Sequence, residues 1–142
     1  MLQGASPDKK EICPMLIPAC MAKIHRATVT QADLNYVGSI TIDEALLEAS
    51  GIQPFQYLNM TNVRTGFFWR TYAMAGMRDS GVICLNGPPA HHFQPSDLII
   101  ILAKVLIKPW EFETLNPVIV FVDDKNKITS VERHKTIKHP MA

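Results

Sequence analysis

This chain lacks the features that mark most specialised classes of protein. Charge of one sign is missing: 14 Lys and Arg stand against 13 Asp and Glu, a formal net charge of +1 over 142 residues. That balance provides no basic stripe for nucleic acid and no long-range steering of polyanions. No hydrophobic run reaches membrane-spanning length; Leu98 to Ile107 is too short and is broken by Lys104. The first residues have no signal-peptide core, which leads to the expectation of a cytoplasmic protein without membrane or nucleic-acid partners. Cysteine is scarce. Cys13, Cys20 and Cys84 lack metal-ligand spacing and are expected as buried or free thiols. There are no internal repeats and no linker that divides the chain.

What is present is a 47 % hydrophobic sequence long enough for one domain with a modest core. Residues 1–14 are polar and turn-rich and are expected as a flexible extension. Alternation and β-branching predict a first strand from Met15 to Thr30, with Lys23 and His25 on one face of it. Gln31 to Tyr36 reads as a connection and Ser39 to Ile42 as a strand. Asp43 caps a helix from Glu44 to Ser50, which Gly51 ends. Strands follow at 55–61 and 67–75, joined by a turn at Asn62–Gly66, and at 82–85. Asn86-Gly87-Pro88-Pro89 is a rigid corner. The stretch 97–106 reads as a central strand buried on both faces, and 117–123 as the last strand. The tail beyond 128 reads as polar and mobile. Short strands, a brief helix and frequent turns predict a mainly β protein, a small closed barrel.

The organising stretch is Asn35-Tyr36-Val37-Gly38-Ser39-Ile40-Thr41-Ile42-Asp43. Two chemistries fit it. One is a tight turn with Gly38 at positive φ. The other is self-cleavage, in which the Ser39 hydroxyl attacks the Gly38 carbonyl and the new N-terminus becomes a pyruvoyl group. Upstream lies Lys23-Ile24-His25-Arg26-Ala27-Thr28-Val29-Thr30-Gln31-Ala32-Asp33-Leu34; downstream lie Thr71-Tyr72 and Asn86-Gly87. This set, in this order, resembles the pyruvoyl-dependent aspartate 1-decarboxylases, which make β-alanine on the way to pantothenate. The resemblance covers about Met15 to Ile128.

The resemblance implies a double-psi β-barrel over 15–128, a homotetramer with sites between subunits, and in some relatives a helper protein for maturation. It implies a covalent pyruvoyl cofactor made from Ser39, with no pyridoxal phosphate and no metal. The ketone would take the substrate amine as a Schiff base and accept the electrons released with carbon dioxide. Gly38 would become the new C-terminus. Thr71 is implied as the hydroxyl that assists cleavage and holds the adduct, and Tyr72 as the acid that reprotonates the carbanion. Lys23 is implied near the substrate carboxylate with His25 as a polar partner. Tyr36 would contact the cleavage turn, and Asn86 with Gly87 would line the site. Read without the resemblance, Thr71-Tyr72 are ordinary strand residues and Asn86 a turn residue.

Two positions depart from the family pattern. An arginine three residues before the Thr-Tyr pair is replaced by Phe68, and a pair of alanines after Asn86-Gly87 by Pro88-Pro89. The arginine grips a carboxylate by two prongs; the prolines lack N–H donors. Arg70 falls on the same strand face as Phe68 and Tyr72, displaced roughly 6–7 Å from the lost arginine. The expected activity is conversion of L-aspartate to β-alanine and CO2. Two alternatives stand beside it: the same chemistry on a neutral or apolar amino acid, and an unprocessed barrel that only binds. His91-His92 point to opposite faces if extended and have no third ligand spaced to join them.

Overall fold

A computed structural model describes residues 15–134. Nine strands run in chain order: β1 (Ile17–Thr28), β2 (Gln31–Asp33), β3 (Ser39–Asp43), β4 (Tyr57–Asn62), β5 (Phe68–Gly76), β6 (Ile83–Asn86), β7 (Leu98–Ile107), β8 (Val118–Val122) and β9 (Ile128–Arg133). One helix, α1 (Glu44–Ser50), and two short 3-10 turns complete the described chain. The strands lie in the order β2-β6-β3-β5-β4-β7-β1-β8-β9.

That order closes on itself through the backbone. β1 and β2 are separated only by Val29 and Thr30, yet they sit on opposite sides of the run from β6 to β7. The Val29 N–H donates to the Asp97 carbonyl and the Thr30 N–H to the Ile83 carbonyl. One extended segment therefore borders both β7 and β6 and seals a small barrel, which leaves no open edge there. Irregularities at Cys20/Ala22 and Ile24/Ala27 bend β1 around the barrel, the second beside Arg26 at φ 57°.

The interior is apolar. Ala22, Ile24, Ile40, Ile42, Leu58, Met60, Ala73, Ile83, Leu85, Ile99 and Ile101 alternate inward from six strands, and Leu46, Leu47 and Phe93 plug the ends. Two polar clasps fix the connections. The Asp43 carboxylate accepts from the N–H groups of Ala45, Asp79 and Gly81, so one side chain starts α1 and ties down the loop before β6. Buried Asn126 pairs with both backbone groups of Thr28 and with the Gly81 carbonyl.

The helix has the expected bounds. Other expectations change. Gln31–Asp33 is a strand rather than a connection, because its parallel partner β6 is remote in sequence. β7 is buried on one face only: Ile99, Ile101 and Ala103 point inward while Lys104 is exposed, so its apolar run includes an outer face. Residues expected as a tail begin with β9, which pairs antiparallel with β8; polar Thr129, Ser130 and Glu132 hid it because β9 is exposed throughout. Residues 1–14 and 135–142 lie outside the described residues.

Candidate active site

The Gly38-Ser39 bond sits at the entry to β3. The turn of this connection falls at Leu34–Asn35, where Asp33 caps Asn35 through its carboxylate, and not at Gly38. Gly38 is not in the left-handed region; Gly87 is, at φ 78° and ψ −147°. The expected positive φ thus belongs to the partner glycine. A Cβ on Gly87 would lie 3.0 Å from the Gly38 Cα, 3.2 Å from its nitrogen and 3.2 Å from the Tyr36 carbonyl oxygen. The Gly87 N–H donates to the Asp33 carbonyl at 2.7 Å. The Tyr36–Gly38 segment therefore lies against a bare backbone, which only glycine permits.

Ser39 is 2 % exposed. Ile40 and Ile42 point into the core, so Ser39 and Thr41 face the other side of β3. Antiparallel pairing sets Ser39 opposite Asn86. The Asn86 amide donates to Ser39 Oγ at 3.1 Å and to Thr41 Oγ1 at 3.0 Å, and its oxygen accepts from the Cys84 thiol at 3.1 Å. Burial, with the Asp33 charge behind it, pushes the Cys84 thiol up, so it stays protonated and remains a donor. Its proton fixes which end of the amide meets Ser39. A donor on Oγ orients the hydroxyl and favours its deprotonated form.

The other flank is β5. The parallel ladder pairs Ile40 with Ala73. Ladder pairing starts there; extending the register by one and by two residues puts Ser39 level with Tyr72 and Gly38 level with Thr71. Tyr72 faces outward with Phe68 and Arg70; its ring stacks on Phe55 at 6.0 Å and lies opposite Tyr57 on β4. Thr71 lies opposite Leu58 on the inward-facing row. Its hydroxyl makes no hydrogen bond among the described residues, which leaves it free for the Gly38 carbonyl.

The remaining predicted residues fall into two groups. Asn86, Gly87 and the Pro88–His91 3-10 turn adjoin Gly38, and Tyr36 stands exposed over them. Pro88 and Pro89 occupy the first turn, where missing N–H groups cost no helix bond. Lys23 and His25 lie on the outer face of β1, flanked by Leu102 of β7 and by Ile119 and Phe121 of β8. Neither contacts Ser39 in one chain. The His25 ring meets Phe121 edge-on at 5.5 Å and its Nδ1 has no partner. Partial burial, with Lys23 and Arg26 adding to it, lowers the His25 pKa, so the ring is neutral at pH 7. A row of pairings nevertheless links Lys23 to Arg70 across this face: Lys23 opposite Leu102, Leu102 opposite Asn59, Asn59 opposite Arg70. Phe68 is 55 % exposed two pairs further along, opposite Thr61.

Thr41, Cys84 and Asp33 escaped the sequence reading. The spacing of two between Ser39 and Thr41, and between Cys84 and Asn86, was the available signal, since each places both residues on one strand face. His91 and His92 do not converge: His92 stacks on Phe67 at 3.9 Å while His91 is exposed. Among the described residues no three His, Cys, Asp or Glu side chains gather as metal ligands, and no helix is long and apolar enough to cross a membrane.

A hydroxyl oriented in a buried pocket, beside a backbone bond pressed on glycine, defines a β-barrel whose site is built around one peptide bond. The aspartate decarboxylase family model matches residues 15–129. A protein named aspartate 1-decarboxylase from Lactiplantibacillus plantarum is 50 % identical over 121 residues, 85 % of this chain and 93 % of that one. One of the same name from Caldicellulosiruptor saccharolyticus is 51 % identical over 117 residues, 82 % of this chain and 91 % of that one. A third, from Ruminiclostridium cellulolyticum, is 48 % identical over 126 residues, 87 % and 98 % of the two chains. The chain belongs to the aspartate decarboxylase family.

Proposed function

We propose that this protein is a self-processing decarboxylase that converts L-aspartate to β-alanine and carbon dioxide. The observation that carries the reading is the hydrogen bond from Asn86 to the buried Ser39 hydroxyl, beside a Gly38 that rests on Gly87. In maturation Ser39 Oγ attacks the Gly38 carbonyl carbon; the C–N bond breaks, the hydroxyl proton passes to nitrogen, and an ester replaces the amide. Loss of the Ser39 α-proton then expels the Gly38 carboxylate, and water replaces nitrogen as ammonia to leave a ketone. The Asn86 amide aims Oγ, and the Thr71 hydroxyl serves the Gly38 carbonyl as its charge grows.

The chain's residues fit such a group: the Asn86 amide donates to Ser39 Oγ, and a Cβ on Gly38 would meet nothing nearer than 3.8 Å. Once formed, the ketone supplies an electron sink for the α-carbon. The chain does the rest. The Tyr72 phenol returns a proton to that carbon. Exposed Tyr36, two residues before Gly38, is available to contact the substrate. Lys23 provides a fixed cation for a carboxylate, with neutral His25 as its polar neighbour. Lys23 lies three inter-strand steps from Arg70, about 14 Å across the sheet. That separation supports a site completed by a neighbouring copy, and the family resemblance implies a homotetramer. A maturation helper and a cytoplasmic location belong to the same reading.

A second reading is a neutral or apolar substrate, favoured by the exposed Phe68 on the strand face that carries Arg70 and Tyr72. The experiment is turnover of a panel of amino acids with product identification. β-Alanine from aspartate, abolished in Ser39→Ala, supports the proposal. Turnover only of apolar amino acids supports the second reading. A whole, inactive chain leaves a barrel that binds without catalysis.

A further inference from the structure

We propose that Arg70, Lys104, Asn59 and Tyr57 form the subsite that holds the side-chain carboxylate of the substrate, in place of the cation missing at position 68. The inference deepens the aspartate reading and rests on it. These residues line one open pocket of about 410 Å³ on the outer face, drawn from β5, β7 and β4.

Three observations point to an anion there. First, two cations share the pocket and no acidic side chain lines it. Neither Arg70 nor Lys104 makes a hydrogen bond or ion pair among the described residues. Arg64 is bound to Asp97 and Arg78 to Glu48, whereas Arg70 shares a pocket with a second cation. Second, Asn59 is only 9 % exposed, lines the pocket and has no side-chain partner among the described residues. Its amide opens onto the pocket, where its N–H groups are available to a ligand oxygen. Third, the pocket adjoins the reacting centre. Asn59 is the cross-strand partner of Arg70, and Tyr57 that of Tyr72. Arg70 lies two residues from Tyr72 on the same face, roughly 6–7 Å along the strand. A guanidinium on a flexible stem spans that distance back toward a substrate held beside Ser39. The planar fork of Arg70 suits a carboxylate bound by two oxygens, with Lys104 as a second point charge and the Asn59 amide as a neutral donor. The site asks for a small dicarboxylate amino acid, because the planar fork of Arg70 matches a carboxylate and the pocket adjoins Tyr72.

The test uses the full chain and its Arg70→Gln, Arg70→Lys and Lys104→Gln variants. Intact mass reads cleavage, kinetics separate KM from kcat for aspartate, and calorimetry reads binding of succinate and of inorganic phosphate. Both side chains are exposed, so folding is preserved. The expected result is normal cleavage, with KM for aspartate raised about 10- to 100-fold in Arg70→Gln. The change in kcat is smaller, Lys104→Gln shows a lesser rise, and Arg70→Lys recovers part of the loss. Succinate binding falls in parallel. Unchanged KM and succinate affinity in both Gln variants would overturn the proposal, as would phosphate binding more tightly than succinate. If the wild-type chain stays whole and inactive yet binds succinate through Arg70, the decarboxylase reading fails and the carboxylate site stands.

Discussion

Gly87→Ala tests how the cleavage bond is supported. At φ 78° and ψ −147°, Gly87 occupies a backbone region that L residues avoid. Holding alanine there costs of order 1–3 kcal/mol. The methyl group adds a second penalty, because it would sit 3.0 Å from the Gly38 Cα and 3.2 Å from its nitrogen, both backbone atoms. Gly38 must retreat by a few tenths of an ångström, which moves its carbonyl away from Ser39 Oγ. Positioning errors of that kind carry steep rate penalties. The expected outcome is a melting temperature lower by about 3–12 °C, taking roughly 3–4 °C per kcal/mol for a chain of this size. Cleavage followed by intact mass should slow at least about 10-fold. Gly38→Ala is the internal contrast: its Cβ would meet the Asn86 carbonyl at 3.8 Å and Pro88 Cδ at 4.0 Å, ordinary contacts, and its φ is not left-handed. It should keep the wild-type melting temperature. Gly87→Ala that melts and cleaves as the wild type does would refute the reasoning.

Ser39→Ala should stay as one chain and turn over nothing, with stability lower by only about 1 kcal/mol for the lost Asn86 contact; thermal melts and electrophoresis check both halves. Tyr72→Phe should mature normally, yet lose roughly 10²- to 10⁴-fold in β-alanine formation, since only the acid is removed; slowed maturation with intact turnover would reassign Tyr72. Acid stability should track Asp97. Its hydrogen bonds from Arg64, opposed by burial and helped by Gln94 and Asn62, hold the carboxyl well below the usual range. A depressed carboxyl stabilises the fold above its unfolded pKa of about 3.9, and that stabilisation is lost as pH falls from there toward the folded value. Melting temperature against pH should therefore drop below about pH 4 in the wild type. Asp97→Asn should be weaker at pH 7 and flatter below pH 4.

Much of the site was legible because its residues are paired by short spacings. Asp43, Glu44–Ser50 and Gly51 carry a complete helix signal, cap to stop, and the helix forms there. Ser39 with Ile40 and Ile42 states which face of β3 is buried. The parallel partners were not legible. β2 against β6, and β3 against β5, join segments distant in the chain, and nothing local in Gln31-Ala32-Asp33 announces them. The positive φ was assigned to Gly38 because it precedes the serine. The structure gives it to Gly87, which the sequence separates from Gly38 and the barrel presses against it. Tyr57, Asn59 and Lys104 had no motif at all. Only cross-strand register gathers them around Arg70.

The central claim is that the bond between residues 38 and 39 breaks itself. The direct measurement is the intact mass of purified, aged protein, with N-terminal chemistry on the larger fragment. The account predicts two chains, residues 1–38 and 39–142, the second blocked at its N-terminus and reactive toward a carbonyl reagent. A single chain of full mass, folded and unreactive, would contradict it.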